Sequence, residues 1–222
     1  MCLPEYAKQK EKVNMYYFMK ILSDLAKNDD VVITDAGSNL TWTLQGFEVK
    51  DGQKLFSAFG NSPMGYSLPA AIGASIALGN KPIICIIGDG GIQMNIADLQ
   101  TVFYYKLPIK IFVIDNNAFG IIKQFQDIWF DSQYEATCPE KGCSFPDFVK
   151  VGQAYGLKTE TIANHSELEE KIKKVLASPE AVLCNVEVRP DEKIVPKLEF
   201  GKPIEDASPL LDRTEFNENM SL

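Results

Sequence analysis

The sequence lacks several features that would place it in a membrane or on a nucleic acid. No apolar run approaches the about 20 residues that a membrane-spanning helix needs. No cluster of Lys and Arg forms a basic patch, and the formal net charge of −8 is acidic. The first dozen residues are polar and charged, which is not typical of a secretory signal peptide. We therefore expect a cytoplasmic protein with no membrane or nucleic-acid partner.

Histidine and cysteine are also scarce. The single histidine, His165, precedes a predicted helix without a neighbouring nucleophile, which favours a surface residue. The five cysteines are an odd number at irregular spacing, which favours a reducing compartment over a disulfide framework. Cys85 and Cys184 lie in apolar runs and are expected to be buried. Cys138 and Cys143 could meet in one loop as a metal or redox pair, although no second pair accompanies them.

Two kinds of segment alternate along the 222 residues, which suffice for one domain with a long tail. Short β-branched runs predict buried parallel strands at Val31–Ile33, Ile83–Ile87, Ile109–Ile114 and Ala181–Val188. Apolar residues at helical spacing predict helices from Asn14 to Leu25, Leu68 to Leu78, Asn95 to about Tyr105 and Gly120 to Phe130, with a further helix after a Ser166–Glu169 capping box. Alternating strands and helices predict an α/β fold: a three-layer, doubly wound sandwich with a mainly parallel central sheet and helices on both faces.

Composition divides the chain into three parts. Residues 1–12 are expected to be a linker and residues 13–190 a folded domain. Residues 191–222 hold several prolines and many charges with little periodicity. We expect them to form an extended tail that packs on the surface or on a partner.

Two short motifs follow neighbouring predicted strands. Gly88-Asp89-Gly90-Gly91 follows one strand, and Asn116-Asn117 follows the next. In parallel sheets ligands bind outside the carboxyl ends of the strands, so these motifs are expected to meet there. Carboxylate and amide oxygens suit Mg²⁺, and the N-termini of the following helices suit a phosphate. Gly-Asp-Gly alone is more often an ordinary turn, but the two motifs together are a stronger signal.

Other phosphate-binding motifs are missing. No G-x-G-x-x-G follows the first strand, and no G-x-x-x-x-G-K-S/T phosphate loop is present. A dinucleotide-binding domain and a generic Mg-nucleotide domain are therefore disfavoured.

The two motifs resemble the signature of thiamine diphosphate-dependent enzymes. The segments Asp35–Trp42 (DAGSNLTW) and Phe59–Gly73 (FGNSPMGYSLPAAIG) also resemble acetolactate synthase-like members of that family. The resemblance runs from about Tyr6 to about Pro209 and corresponds to the C-terminal, thiamine diphosphate-binding (PP) domain of those enzymes.

The resemblance implies a role for individual residues. Asp89, the Asn116 side chain and the backbone carbonyl of Ala118 would bind Mg²⁺, whereas Asn117 would shape the turn. The residues expected near the diphosphate, mainly through their backbones, are Gly37, Ser38, Asn39, Gly88, Gly90, Gly91, Phe119 and Gly120. The Ser62 carbonyl would accept from the aminopyrimidine. Met64 would support the bent cofactor, although an isolated methionine is more often a core residue.

Phe125 departs from the family pattern. It stands where acetohydroxyacid synthases usually carry a tryptophan that contacts the acceptor substrate, which puts the acceptor preference in doubt. The alternative is an ordinary core aromatic.

The resemblance also implies an incomplete active site. In the family the activating glutamate comes from a separate pyrimidine-binding domain across an oligomer interface, so no catalytic residue is expected on this chain. The expected reaction is decarboxylation of pyruvate or a related 2-oxo acid, followed by transfer to a second carbonyl compound. Two alternatives stay open: the small subunit of a sulfopyruvate- or phosphonopyruvate-type decarboxylase, and a non-catalytic cofactor-binding or interaction module.

Overall fold

The structure is a computed structural model that describes residues 3–199 and 201–221. Its strands are β1 (Val31–Thr34), β2 (Lys54–Phe56), β3 (Ile83–Gly88), β4 (Lys110–Asp115), β5 (Lys158–Ile162) and β6 (Val182–Glu187). Its helices are α1 (Met15–Leu25), α2 (Ser38–Gly46), α3 (Ser67–Ala77), α4 (Asp89–Met94), α5 (Leu99–Tyr104), α6 (Gly120–Trp129), α7 (Phe148–Ala154), α8 (Leu168–Ala177) and α9 (Arg213–Met220). Short 3-10 turns lie at Tyr6–Lys8, Ile96–Asp98, Pro139–Lys141 and His165–Glu167.

The strands form one parallel sheet in the order β2-β1-β3-β4-β6-β5. The central strands are buried along their length because helices cover both faces. On one face, Ile33 and Cys85 join a core with residues of α3, α5 and α7. On the other, Phe18 of α1 meets Phe112 of β4 edge-on, with ring centroids 5.6 Å apart. The predicted three-layer α/β sandwich is therefore confirmed.

The sheet order contains a reversal next to β1. The chain passes from β1 outward to β2 and then returns to the opposite side of β1 as β3. Such a reversal opens a crevice at the carboxyl ends of the two strands, because their connections leave in opposite directions. The polar motifs after β1 and β3 lie at this point.

Local capping explains where several helices begin. Asn14 caps α1, since its side chain accepts from the Tyr17 N–H at 3.1 Å. The predicted Ser166–Glu169 capping box is wrong. Asn164 is the cap instead, and it accepts from the Ser166 N–H at 3.0 Å, so the helical turn begins two residues earlier.

Two further predictions need correction. The helix expected from Asn95 is a 3-10 turn followed by α5. His165 is half-buried instead of a free surface residue: its Nε2 accepts from the Asn14 N–H at 2.9 Å, and its ring packs on Tyr17. It links the turn before α8 to the start of α1.

The chain divides into two compact units, Met1–Glu192 and Lys193–Leu222. The sequence predicts that residues 191–222 form an extended tail. The second unit is not extended throughout, because it contains α9. Asp212 caps this helix by accepting from the Thr214 N–H at 2.8 Å, and Arg213 makes two 3.0 Å contacts with Asp206. Within the predicted linker, Lys12 forms a bridge to Asn164. No helix in the described residues is long and apolar enough to cross a membrane.

Candidate functional site

A cleft of about 290 Å³ opens at the carboxyl ends of β1, β3 and β4. All the predicted cofactor and metal residues line it: Gly37, Ser38, Asn39, Ser62, Met64, Gly88, Asp89, Gly90, Gly91, Asn116, Ala118, Phe119 and Gly120. Sequence reasoning gave no role to five other residues of the wall, namely Asp35, Ala36, Trp42, Ile121 and Ile122. The structure thus brings together segments that lie far apart in the sequence.

The glycines of the cleft permit close packing that a side chain would prevent. A Cβ at Gly88 would lie 2.6 Å from Asn39 Nδ2, and one at Gly90 would lie 2.4 Å from Phe119 Cε1. At Gly120 it would lie 2.8 Å from Asn116 Nδ2. The glycines therefore let three loops approach one another closely enough to form a single wall.

Asp89 is a buried carboxylate at the floor of the cleft, with 3% of its surface exposed. Its Oδ1 accepts from the Gly90 N–H at 2.7 Å and its Oδ2 from the Ala118 N–H at 3.3 Å. Burial raises the pKa of the carboxyl to about 7 despite these hydrogen bonds, and the charge of Asp115 also raises it. No Lys or Arg of the described chain forms an ion pair with Asp89. Such a group is suited to a bound cation.

The loop after β4 supplies the amide beside this carboxylate. Asn116 is buried, and its Nδ2 has no hydrogen-bond partner within the described part of the chain. Asn39 Oδ1, in the loop after β1, is buried and unpartnered in the same way. Asn117 is exposed with φ 51°, so it turns the chain instead of pointing a buried ligand into the cleft. Unpartnered buried polar atoms at the wall of a cleft fit a site that is completed by a ligand.

Two helices begin at the cleft without a side-chain cap. α2 starts after Gly37, whose φ of 72° favours glycine, and α6 starts after Phe119. Neither preceding residue accepts from the first N–H groups of its helix through a side chain. These N–H groups and the helix dipoles favour an anion such as a diphosphate.

Asp35 has a structural role that the sequence motifs did not reveal. It follows β1, is 1% exposed, and accepts from the backbone N–H groups of Gly65 at 3.0 Å and Ser67 at 3.1 Å. Burial raises the pKa of its carboxyl, and these hydrogen bonds oppose that shift. Asp35 thereby fastens the segment that carries Ser62 and Met64 to the end of β1. Its place directly after a strand was the available signal.

Ser62 and Met64 stand at the mouth of the cleft. Ser62 has a φ of 40°, in the left-handed region that serine adopts at a cost. Met64 is 43% exposed and is therefore not a core methionine. Its Cε lies 3.3 Å from the position of a Cβ on Gly90, so it packs over the glycine turn.

Phe125 does not line this cleft. It lies on α6, is 39% exposed, and stacks on Trp129 with the two rings 5.0 Å apart. It is therefore not an ordinary core aromatic. It belongs to an exposed apolar face of α6 that also carries Ile122 and Ile128.

The donor set of the cleft suits magnesium better than a softer metal. The described residues contain no group of three or more His, Cys, Asp or Glu side chains that could hold a metal ion. The cleft is lined by the carboxylates of Asp35 and Asp89, the amides of Asn39 and Asn116, and backbone carbonyls, which are hard oxygen donors. Mg²⁺ commonly uses one or two carboxylates and takes its remaining ligands from phosphate and water.

Comparisons with known proteins agree with this geometry. Residues 35–186 match the family described as "Thiamine pyrophosphate enzyme, C-terminal TPP binding domain". The chain is 38% identical over 169 residues to an acetolactate synthase large subunit of Cyanidium caldarium, covering 76% of this chain and 28% of the relative. It is 33% identical over 183 residues to the acetolactate synthase isozyme 2 large subunit of Escherichia coli (strain K12), covering 82% and 33% respectively.

A probable acetolactate synthase large subunit of Methanococcus aeolicus is 31% identical over 177 residues, covering 79% of this chain and 29% of the relative. The chain thus spans about a third of the length of the curated relatives it matches. The family match begins directly after β1 and covers β3, β4 and the turns and helix starts that form the cleft. The chain belongs to the family of thiamine pyrophosphate enzymes, as a C-terminal TPP-binding domain similar to that of acetolactate synthase large subunits.

Proposed function

We propose that this chain provides the diphosphate- and Mg²⁺-binding half of an acetolactate synthase-like active site. The observation that carries the proposal is the buried Asp89 carboxylate, which forms no ion pair with any described Lys or Arg, in the same cleft as two helix starts without side-chain caps. A carboxylate alone would repel a diphosphate. Mg²⁺ held by Asp89 would remove this conflict by supplying positive charge.

Different residues of the cleft bind the metal ion, the diphosphate and the organic part of the cofactor. Asp89, the Asn116 side chain and the Ala118 carbonyl hold Mg²⁺. The backbone of the three turns after β1, β3 and β4 would hold the diphosphate, because the uncapped N–H groups of α2 and α6 are available there. Met64 and the Ser62 carbonyl hold the organic part of thiamine diphosphate at the mouth.

When bound, thiamine diphosphate supplies the nucleophilic carbon and the electron sink for loss of CO₂ from a 2-oxo acid. The chain orients this cofactor and contributes no acid or base of its own to the reaction. The activating glutamate comes from a pyrimidine-binding domain or partner chain, and the active enzyme is an oligomer. We propose pyruvate or a related 2-oxo acid as the donor, a second carbonyl compound as the acceptor, and the cytoplasm as the location.

Product analysis tests this function. The chain is incubated with pyruvate, thiamine diphosphate and Mg²⁺, with and without a chain that carries the pyrimidine-binding domain. We expect acetolactate only when both chains are present. Full turnover by this chain alone would overturn the partner requirement. A free aldehyde instead of acetolactate would identify the simple decarboxylase. This alternative is compatible with Phe125, which stands where acetohydroxyacid synthases usually carry a tryptophan that contacts the acceptor.

A further inference from the structure

The loop between α6 and α7 brings two cysteines together. The backbone N–H groups of Lys141 and Cys143 both donate to the Cys138 carbonyl, at 2.9 and 3.2 Å. Gly142 between them has a φ of 89°, in the left-handed region. This arrangement is a Schellman-type turn. It consists of a 3-10 turn, a left-handed residue, and a backbone hydrogen bond from the N–H of the sixth residue to the carbonyl of the first. In such a turn the side chains of the first and sixth residues are frequently in contact, and here both are cysteines.

The backbone geometry limits how far apart the two residues can be. The Cys143 nitrogen lies 3.2 Å from the Cys138 oxygen. The Cys138 oxygen lies about 2.4 Å from the Cys138 Cα, and the Cys143 nitrogen lies about 1.5 Å from the Cys143 Cα. The sum of the three distances limits the separation of the two Cα atoms to at most about 7 Å. Disulfides span Cα separations of about 4.4–6.8 Å. Both cysteines are free thiols in the structure.

The two thiols differ in accessibility. Cys138 is buried, with 6% of its surface exposed, whereas Cys143 is half-buried. Burial raises the pKa of the Cys143 thiol, and the nearby charges of Asp89, Cys138 and Glu140 raise it further. Cys143 is therefore the thiol that a reagent in solution reaches, and it reacts slowly at neutral pH because little thiolate is present.

The residues on both sides of this turn contact the cofactor cleft. Immediately before it, the Thr137 carbonyl accepts from the Phe119 N–H at 3.0 Å. Shortly after it, Phe145 packs edge-on against the Phe119 ring with centroids 5.5 Å apart. Phe119 itself lines the cleft. A covalent closure of the turn would therefore restrain the two contacts that hold Phe119.

We propose that Cys138 and Cys143 are a redox modification site, forming a reversible intrachain disulfide that restrains the loop supporting Phe119. With a low-molecular-weight disulfide such as oxidised glutathione, the Cys143 thiolate attacks one sulfur and releases one glutathione thiolate. The Cys138 thiolate then attacks Cys143 Sγ, breaks the mixed disulfide and releases the second glutathione. The two protein thiols lose two electrons and two protons, and one oxidised glutathione becomes two reduced molecules.

Tryptic mapping tests this site without any cofactor. The full chain is treated with oxidised glutathione, its remaining thiols are alkylated, and it is digested with trypsin, which cleaves after Lys141 between the two cysteines. We expect the peptides ending at Lys141 and beginning at Gly142 to remain linked until a reductant is added. The control Cys2→Ser retains the link, and Cys143→Ser loses it. Recovery of both peptides unlinked, or of a mixed disulfide that persists on Cys143, would overturn the proposal.

Hydrogen exchange tests the restraint on Phe119. In the oxidised chain we expect the Phe119 amide to exchange at least about threefold more slowly than in the reduced chain, because its acceptor loop opens less often. The Cys143→Ser chain should show no difference between the two treatments. Unchanged exchange in a chain that carries the disulfide would contradict the coupling to the cleft. Neither readout involves thiamine diphosphate, so a failure here is distinct from a failure of the proposed function.

Discussion

Replacing Gly91 with alanine places a methyl group against the buried carboxylate of Asp35. The added Cβ would lie 2.2 Å from Asp35 Oδ2 and 3.3 Å from Ile87 Cγ1. Asp35 cannot simply move away, since its two oxygens accept from the N–H groups of Gly65 and Ser67. Overpacking costs about 1–3 kcal/mol, and weakening hydrogen bonds to a charged acceptor costs about 1.5–3 kcal/mol.

Alanine has a higher helix propensity than glycine, which offsets about 1 kcal/mol of this loss of stability. We therefore expect Gly91→Ala to lower the free energy of unfolding by about 2–5 kcal/mol. At a denaturant dependence of about 2.5 kcal/mol per molar, the urea midpoint would fall by about 1–2 M.

Urea unfolding followed by circular dichroism measures this loss, with Gly73→Ala as the matched control. Gly73 is an exposed residue of α3, and a Cβ there meets no atom within 4 Å. The control should raise the free energy of unfolding by about 0.5–1 kcal/mol. A Gly91→Ala midpoint equal to that of the original chain would refute the packing of Asp35 against this turn.

Two further predictions concern other parts of the chain. Burial raises the pKa of Glu192 from 4.5 to about 7, although attraction to Arg189 opposes the shift. The folded state therefore binds the Glu192 carboxyl proton more tightly than the unfolded state does. This difference stabilises the fold fully below about pH 4.5, and the stabilisation is lost as the pH rises to about 7. We expect Glu192→Gln, which keeps an acceptor for Asn14, to remove up to roughly 3 kcal/mol of that pH dependence. If the melting temperatures of the variant and the original chain changed equally with pH between 4.5 and 7, this prediction would be contradicted. Phe125→Ala should leave the affinity for thiamine diphosphate within about twofold, because Phe125 lies outside the cleft, and a loss of tenfold or more would place it in the binding site.

Hydrophobic pattern predicts the centre of this fold well and its margins poorly. The runs that became β1, β3, β4 and β6 are apolar because both faces of a parallel sheet are covered. The edge strands β2 and β5 escaped prediction. β2 has three residues, and β5 (KTETI) mixes charged and β-branched residues because it is only partly covered.

Several helices form against their local preference. α4 (DGGIQM) contains two glycines, which disfavour a helix, and it forms because the chain must turn closely beneath the cleft. α2 (SNLTWTLQG) was missed for a related reason, since Ser, Thr, Asn and Gly make up five of its nine residues and disfavour a helix interior. α7 and α9 carried a usable signal: Asp147 and Asp212 cap them by accepting backbone N–H groups.

The strand-end motifs predicted the cleft because the ends of neighbouring parallel strands meet. Spacing could not show that Asp35 fastens the Gly65 segment, since that contact joins loops 30 residues apart. Nor could it show that Phe125 lies outside the cleft. Its direction depends on how α6 packs after the turn at Asn117.

Calorimetric titration with thiamine diphosphate in Mg²⁺, and again after chelation with EDTA, tests the central claim most directly. We expect binding only with Mg²⁺. Asp89→Asn should lose roughly 2–5 kcal/mol of binding free energy, or about 30-fold or more in affinity. Asp51→Asn, an exposed carboxylate outside the cleft, should bind like the original chain. Binding of equal affinity in EDTA, or by Asp89→Asn, would contradict the metal site, and no binding in either condition would favour a non-catalytic module.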